Sequence, residues 1–168
     1  WLFLSPLLLL WLVPVTMIPQ WFHGLRTPGF GPDTSENLVP LPHIVVLYGV
    51  FFFFGALYFD CDDREGRLGR RRWLTLPVAL LVVLPLGMSL TLEPDSERIT
   101  RWIPDGGLRL LAVFSQALFA WMMTFGLMGL FRRICARENK AVRYVSDSSY
   151  WLYVAHLPLI FVAQALVK

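Results

Sequence analysis

Residues 110–131 read LLAVFSQALFAWMMTFGLMGLF and are followed at once by Arg132-Arg133. No charged side chain interrupts this stretch. At 1.5 Å of rise per residue it extends about 33 Å as a helix, enough to cross the roughly 30 Å hydrocarbon core of a bilayer. Four other stretches read the same way. Trp1 to Phe22 is uncharged, with Pro6, Pro14 and Pro19 placed to bend or end its helix. Ile44 to Phe59 is shorter but intensely aromatic around Phe51-Phe52-Phe53-Phe54, and Pro42 with His43 extends it. Trp73 to Leu92 is charge-free, interrupted by Pro77 and Pro85, and Ser148 to Val167 carries only His156 as a group titrating near neutrality. The expected architecture is an all-α, multi-pass transmembrane bundle. It forms one domain over residues 1–168, with spans near 1–22, 42–59, 73–92, 108–131 and 148–167.

Composition excludes a water-soluble domain. Hydrophobic residues make up 56% of the chain and charged residues 16%, with a mean hydropathy of +0.55. A soluble surface needs roughly a quarter of its residues charged, so lipid has to be the outer solvent. The net charge of +3 does not point to nucleic acid, because the basic residues sit in short connections rather than on one face of a soluble module.

Those connections orient the bundle. From Gln20 to His43 the only basic residue besides the histidines is Arg26; Asp60 to Arg72 holds Arg64, Arg67, Arg70, Arg71 and Arg72. Glu93 to Arg109 holds Arg98, Arg101 and Arg109 against four acids, and Arg132 to Asp147 holds Arg132, Arg133, Arg137, Lys140 and Arg143. Translocating Lys and Arg is disfavoured, so loops 60–72 and 132–147 are expected in the cytoplasm and the other two outside. Cys61 and Cys135 then sit in a reducing compartment, and no disulfide is expected. Trp21, Trp73, Trp102 and Trp151 fall at span boundaries, where an indole anchors in the headgroup zone or packs between helices.

Candidate chemistry concentrates in Ser146-Asp147-Ser148-Ser149-Tyr150-Trp151-Leu152-Tyr153-Val154-Ala155-His156. Ser146 or Asp147 can cap the last helix. On a 3.6-residue period Ser149, Tyr153, His156 and Gln164 share one stripe, which should face protein or a water-filled cavity. His156 is either a general base or substrate partner, or a structural histidine bonded to a neighbouring helix. His23 and His43 are weaker candidates. No His or Cys spacing suits a metal, and none is expected. Gly126 and Gly129, with Ala120, permit close helix packing; Asp105-Gly106-Gly107 reads as a turn before a helix. Arg70, Arg71 and Arg72 can meet anionic lipid headgroups or the phosphates of a donor, although topology alone also explains them.

Together, Gly129-Leu130-Phe131-Arg132-Arg133, then Arg143-Tyr144-Val145-Ser146-Asp147-Ser148-Ser149-Tyr150-Trp151-Leu152-Tyr153, and His156-Leu157-Pro158 resemble the C-terminal part of the acyltransferase 3 family. Tyr48 to Leu57, with its Phe run and Gly55-Ala56, is similar to an earlier helix of that family, especially of its glucan biosynthesis protein C branch. The resemblance begins near Pro42. It implies an inner-membrane O-acyltransferase of bacteria that carries an acyl group, not an aminoacyl group, from cytoplasmic acyl-CoA to a hydroxyl of an envelope glycan. No bound cofactor is implied. His156 would support catalysis, Tyr153 would line the cavity, and Arg70, Arg71 and Arg72 would face donor or lipid phosphate. The family's Arg and His on its first helices have no counterpart, so the chain is expected to be an internal to C-terminal piece, inactive alone. A transporter or permease subunit with proline-broken helices is the rival reading; the absence of Asp, Glu or Lys within the spans weighs against it.

Overall fold

In a computed structural model, the described residues are 6–22, 30–31, 40–61, 63, 65–92, 105–135, 143–145, 147–149, 151 and 155. They are helices and connections, with no strand among them. A 3-10 turn, Pro6–Leu8, leads into α1, Leu9–Trp21. The next elements are α2, Pro42–Asp60; α3, Arg72–Val78; a π-helical turn, Ala79–Val83; α4, Leu84–Leu92; and α5, Asp105–Ile134. The chain divides into two units, Trp1–Leu130 and Phe131–Lys168.

Three helices are long and apolar enough to cross a membrane: Pro42–Asp60, Arg72–Thr91 and Gly106–Ile134; Leu9–Trp21 is a shorter apolar helix. Phe52 is 72% exposed, Leu81 76% and Leu10 69%, which fits contact with lipid tails and not with water. The fold class is therefore a helical membrane bundle. The expected fifth span at 148–167 lies almost entirely outside the described residues; of its neighbourhood, residues 143–145, 147–149, 151 and 155 are helical.

Local chemistry explains where the helices start and bend. Pro42 opens α2 after an extended Leu41, using a position whose N–H has no intrahelical partner anyway. Pro14 and Pro19 stay inside α1 and do not end it. Nor does Pro85 break the third span: over Ala79–Val83 the ladder widens by one residue, with the Leu84 N–H bonded to the Ala79 carbonyl. Such a turn relieves the clash between the proline ring and the carbonyl four residues earlier. Gly106 and Gly107 lie in the first turn of α5, contrary to the turn expected before it. First-turn amides have no intrahelical bond to lose, so glycine costs little there.

The core of the first unit is built around Trp121, which is fully buried. Its indole stacks on Phe51 at 4.4 Å and meets Phe54 edge-on at 5.0 Å and Phe125 at 5.8 Å. The connection between α2 and α3 is docked on the same core. Tyr58 Oη and the Arg67 N–H both donate to the buried Asp63 carboxylate, Leu68 is buried, and Gly69 lies against the backbone of Gly129. Gly126 in turn receives Leu76 and Thr75, so Gly126 and Gly129 are packing positions as expected.

Candidate functional site: an uncharged cavity with a polar end

Helices α1, α2, α4 and α5 line a cavity of about 600 Å³ together with Phe30 and Gly31. Its walls are apolar, chiefly Phe30, Leu47, Phe51, Leu84 and Phe119. Ala117 and Ala120 leave the space open on the α5 side. Ala120 thus contributes by being small beside a void, which differs from the close helix packing expected of it.

One end of the cavity is hydrogen-bonding. Gln20 is 5% exposed and Gln116 8%, a degree of burial at which most carboxamide groups are paired. Gln20 Nε2 donates to Gln116 Oε1 at 2.8 Å and to the Gly31 carbonyl at 2.9 Å. The Gly31 N–H donates to Gln116 Oε1 at 3.3 Å, and Gln116 Nε2 donates to Thr91 Oγ1 at 3.2 Å. Thr91 then donates to the Gly87 carbonyl at 2.7 Å. Gly31 reaches this geometry at φ +118°, which a side chain would strain. Next to the network, Trp121 Nε1 donates to Thr16 Oγ1 at 2.8 Å, and that hydroxyl donates to the Leu12 carbonyl at 2.7 Å.

Beyond the polar end stands Arg109, two turns before Gln116 on α5. Its Nη2 donates to the Trp21 carbonyl at 2.6 Å and its guanidinium lies 5.0 Å over the Trp21 ring, a cation–π pair. Trp73 and Trp151 are largely exposed at their positions, as interfacial anchors are; Trp102 lies outside the described residues.

Arg70 and Arg71 are exposed in the turn before α3, and Arg72 begins that helix with its guanidinium 5.8 Å from the Trp73 ring. They stand at the end of the bundle opposite Arg109. Gly69 touches α5 at Gly129, thirteen residues from Gln116, or about 20 Å along the helix. In the same connection Arg67 bonds Glu65 at 2.9 Å, and that carboxylate holds the guanidinium above its ordinary pKa. Such an exposed pair adds little stability. Tyr153, His156, Gln164 and His23 lie outside the described residues, so the stripe is represented by Ser149 alone, which is exposed. His43 is half-buried in the first turn of α2, 6.3 Å from the Phe22 ring. Cys61 and Cys135 are exposed thiols. Among the described residues no cluster of His, Cys, Asp and Glu could hold a metal.

A helical membrane bundle lining a partly open cavity, with no charged residue among its described walls and one hydrogen-bonding end, defines a helical membrane protein with a candidate binding site. The chain belongs to the acyltransferase 3 family: the family's sequence model, an acyltransferase domain, matches residues 1–168, the whole chain and not only the part after Pro42. It is thereby a membrane acyltransferase, and membership favours the enzyme over the transporter. No curated protein and no solved structure matches it.

Thr16, Gln20, Thr91 and Gln116 were not singled out by the sequence reading. Their signal was present: each is a polar residue inside or at the edge of an otherwise apolar span, where lipid exposure is costly. Gln20 was counted in a connection because it precedes Trp21 and His23, whereas α1 continues through it.

Proposed function

We propose that this protein is a membrane-bound O-acyltransferase that moves an acyl group from a cytoplasmic acyl-CoA-type donor to a hydroxyl of an envelope glycan or similar acceptor at a bacterial inner membrane. One observation carries the reading: a chain matching an acyltransferase domain along its whole length has a cavity of about 600 Å³ among its apolar helices. Oxygen acylation needs such a place. The hydroxyl loses its proton to a base, its oxygen attacks the thioester carbonyl, the C–S bond breaks and the thiolate leaves to be protonated. Walls such as Phe51 and Phe119 would keep water from competing with the acceptor.

With loops 60–72 and 132–147 cytoplasmic, Arg70, Arg71 and Arg72 face the donor compartment and the cavity's polar end lies in the outer half. The donor's acyl end then has about 20 Å to cover between them. Among the described residues, the side chains lining the cavity offer amides and hydroxyls but no group that accepts a proton readily near pH 7. The family resemblance assigns the base to His156 and gives Tyr153 a place lining the acceptor or donor cavity.

The reading is tested by incubating membranes containing the full-length protein with radiolabelled acyl-CoA and envelope glycan. Label should appear in an ester that mild alkali releases; none in any glycan fraction would refute the assignment. His156→Ala is expected to slow transfer about 100-fold with protein levels unchanged, and unaltered turnover would return His156 to a packing role. Replacing Arg70, Arg71 and Arg72 together by Gln should raise the donor KM several-fold while leaving kcat nearly constant. If the KM stays put and only membrane orientation shifts, the cluster serves topology.

A further inference from the structure

We infer that Gln20 Oε1 receives a hydroxyl from the ligand, making the cavity a subsite for the hydroxyl-bearing end of a neutral amphiphile. Backbone groups fix the network's polarity. The Gly31 N–H can only donate, so the oxygen of Gln116 must face it; the Gly31 carbonyl can only accept, so the NH2 of Gln20 must face that. Thr91 has committed its hydrogen to Gly87, so it accepts from Gln116 Nε2. Both hydrogens of the Gln20 amide are thereby used, on Gly31 and on Gln116. What is left is Gln20 Oε1, an acceptor with no hydrogen bond among the described residues, on a residue 5% exposed that lines the cavity. The oxygen is reachable from the cavity and not sealed off, so a ligand's donor can take it. The fitting partner is an O–H.

The same inventory disfavours anions. No lining residue is charged among the described residues; Arg109, the cation beyond the polar end, is not in the lining, and although its Nε has no partner, its Nη2 and ring face are engaged by Trp21. A carboxylate or phosphate entering would meet an amide oxygen and shed its hydration without a counter-charge. The aromatic and aliphatic walls meanwhile suit the apolar part of the ligand, and the volume falls within the range of about 300–1,000 Å³ usual for small-molecule sites. In the acyltransferase reading, on which its biological role rests, this subsite would hold the acceptor hydroxyl or the hydroxyl-bearing part of the product. Gln116, Thr91 and Gly31 are positioning residues for Gln20.

Binding tests this without any transfer reaction. The full-length protein in lipid nanodiscs is titrated with octyl glucoside below its micelle concentration, with its permethylated analogue, and with octanoate, each corrected against empty discs, following the thermal midpoint. Octyl glucoside should stabilise saturably, the permethylated compound should bind about tenfold more weakly or worse, as loss of one buried hydrogen bond implies, and octanoate should not bind. Gln20→Leu should erase the preference for the free sugar. Equal binding of the sugar and its permethylated form by the wild type would overturn the inference, as would a folded Gln20→Leu that still discriminates. Because the wild-type comparison needs no variant, a misfolded Gln20→Leu leaves the inference open to refutation. Normal discrimination in a protein that transfers no acyl group would instead defeat the enzymatic reading and spare the subsite.

Discussion

Trp121→Ala should lower the stability of the detergent-solubilised protein by about 3–5 kcal/mol, the range for large aromatic truncations in well-packed interiors. The indole is fully buried, touches three other rings and bonds Thr16, so its removal opens a void that rigid aromatic neighbours cannot close. In a bilayer, association of helices relies on such packing more than on expulsion of water, which makes the lost contacts count directly. The loss is a large part of the 5–15 kcal/mol that ordinary folded proteins possess. Trp121→Phe separates the two contributions. It keeps a ring against Phe51 and forfeits only the N–H; Thr16 still donates to Leu12, so the change should cost about 1 kcal/mol for the bond, plus a smaller packing loss. Thermal midpoints of the two variants check this. If Phe proved as damaging as Ala, the hydrogen bond to Thr16 of α1, and not the aromatic packing against α2, would carry the contribution of Trp121.

Gly129→Val should be nearly as damaging, by about 3 kcal/mol, the upper part of the range for overpacking. A Cβ at Gly129 would run into the Gly69 backbone, and one at Gly69 would run into the Gly129 backbone. Backbone has no rotamer with which to turn aside. Relief would require lifting the connection, and that would pull Leu68 out of the core and disturb the turn held by Asp63. The consequence extends to function, because Arg70, Arg71 and Arg72 follow directly; the donor KM should rise along with the loss of stability. Gly55→Ala on α2 is the matched control. Nothing lies near the site a Cβ would occupy there, and alanine favours a helix over glycine, so stability should hold or rise by up to about 1 kcal/mol. Comparable loss in both variants would mean that glycine flexibility, not close approach, matters at position 129.

Much of the architecture was readable from residue order. The aromatic run at Phe51 to Phe54 marked a span because lipid tolerates it and water does not, and the observed helix Pro42–Asp60 departs from the expected 42–59 by one residue. The span from Leu110 was longer than expected, since Arg109 and Gly106-Gly107 are helical too. A charged or glycine residue marks where apolarity stops but not where backbone hydrogen bonding stops. Proline was read as a breaker in the Trp73 span, where a π turn absorbs it without ending the helix.

The candidate site was far less legible. His156 and Tyr153 drew notice because a titratable group in a span stands out in one dimension. Gln20 and Gln116 did not, being neutral, 96 residues apart and unremarked until the fold brings them within 2.8 Å. Ala120 illustrates the same limit, since a small residue permits either contact or empty space, and only its neighbours decide which.

Apolar length, the confinement of arginine to certain connections and the family's motifs were enough to determine that this chain is a helical membrane acyltransferase, because solvent preference and chain order are properties of residues taken singly or in short runs. Tertiary structure alone decided that Trp121 is the centre of the core, that Gly69 rests on Gly129, and that two glutamines close a polar end on an apolar cavity. Each of those depends on which distant backbones approach, and hydrogen-bond and packing geometry at that scale is set by the whole bundle at once.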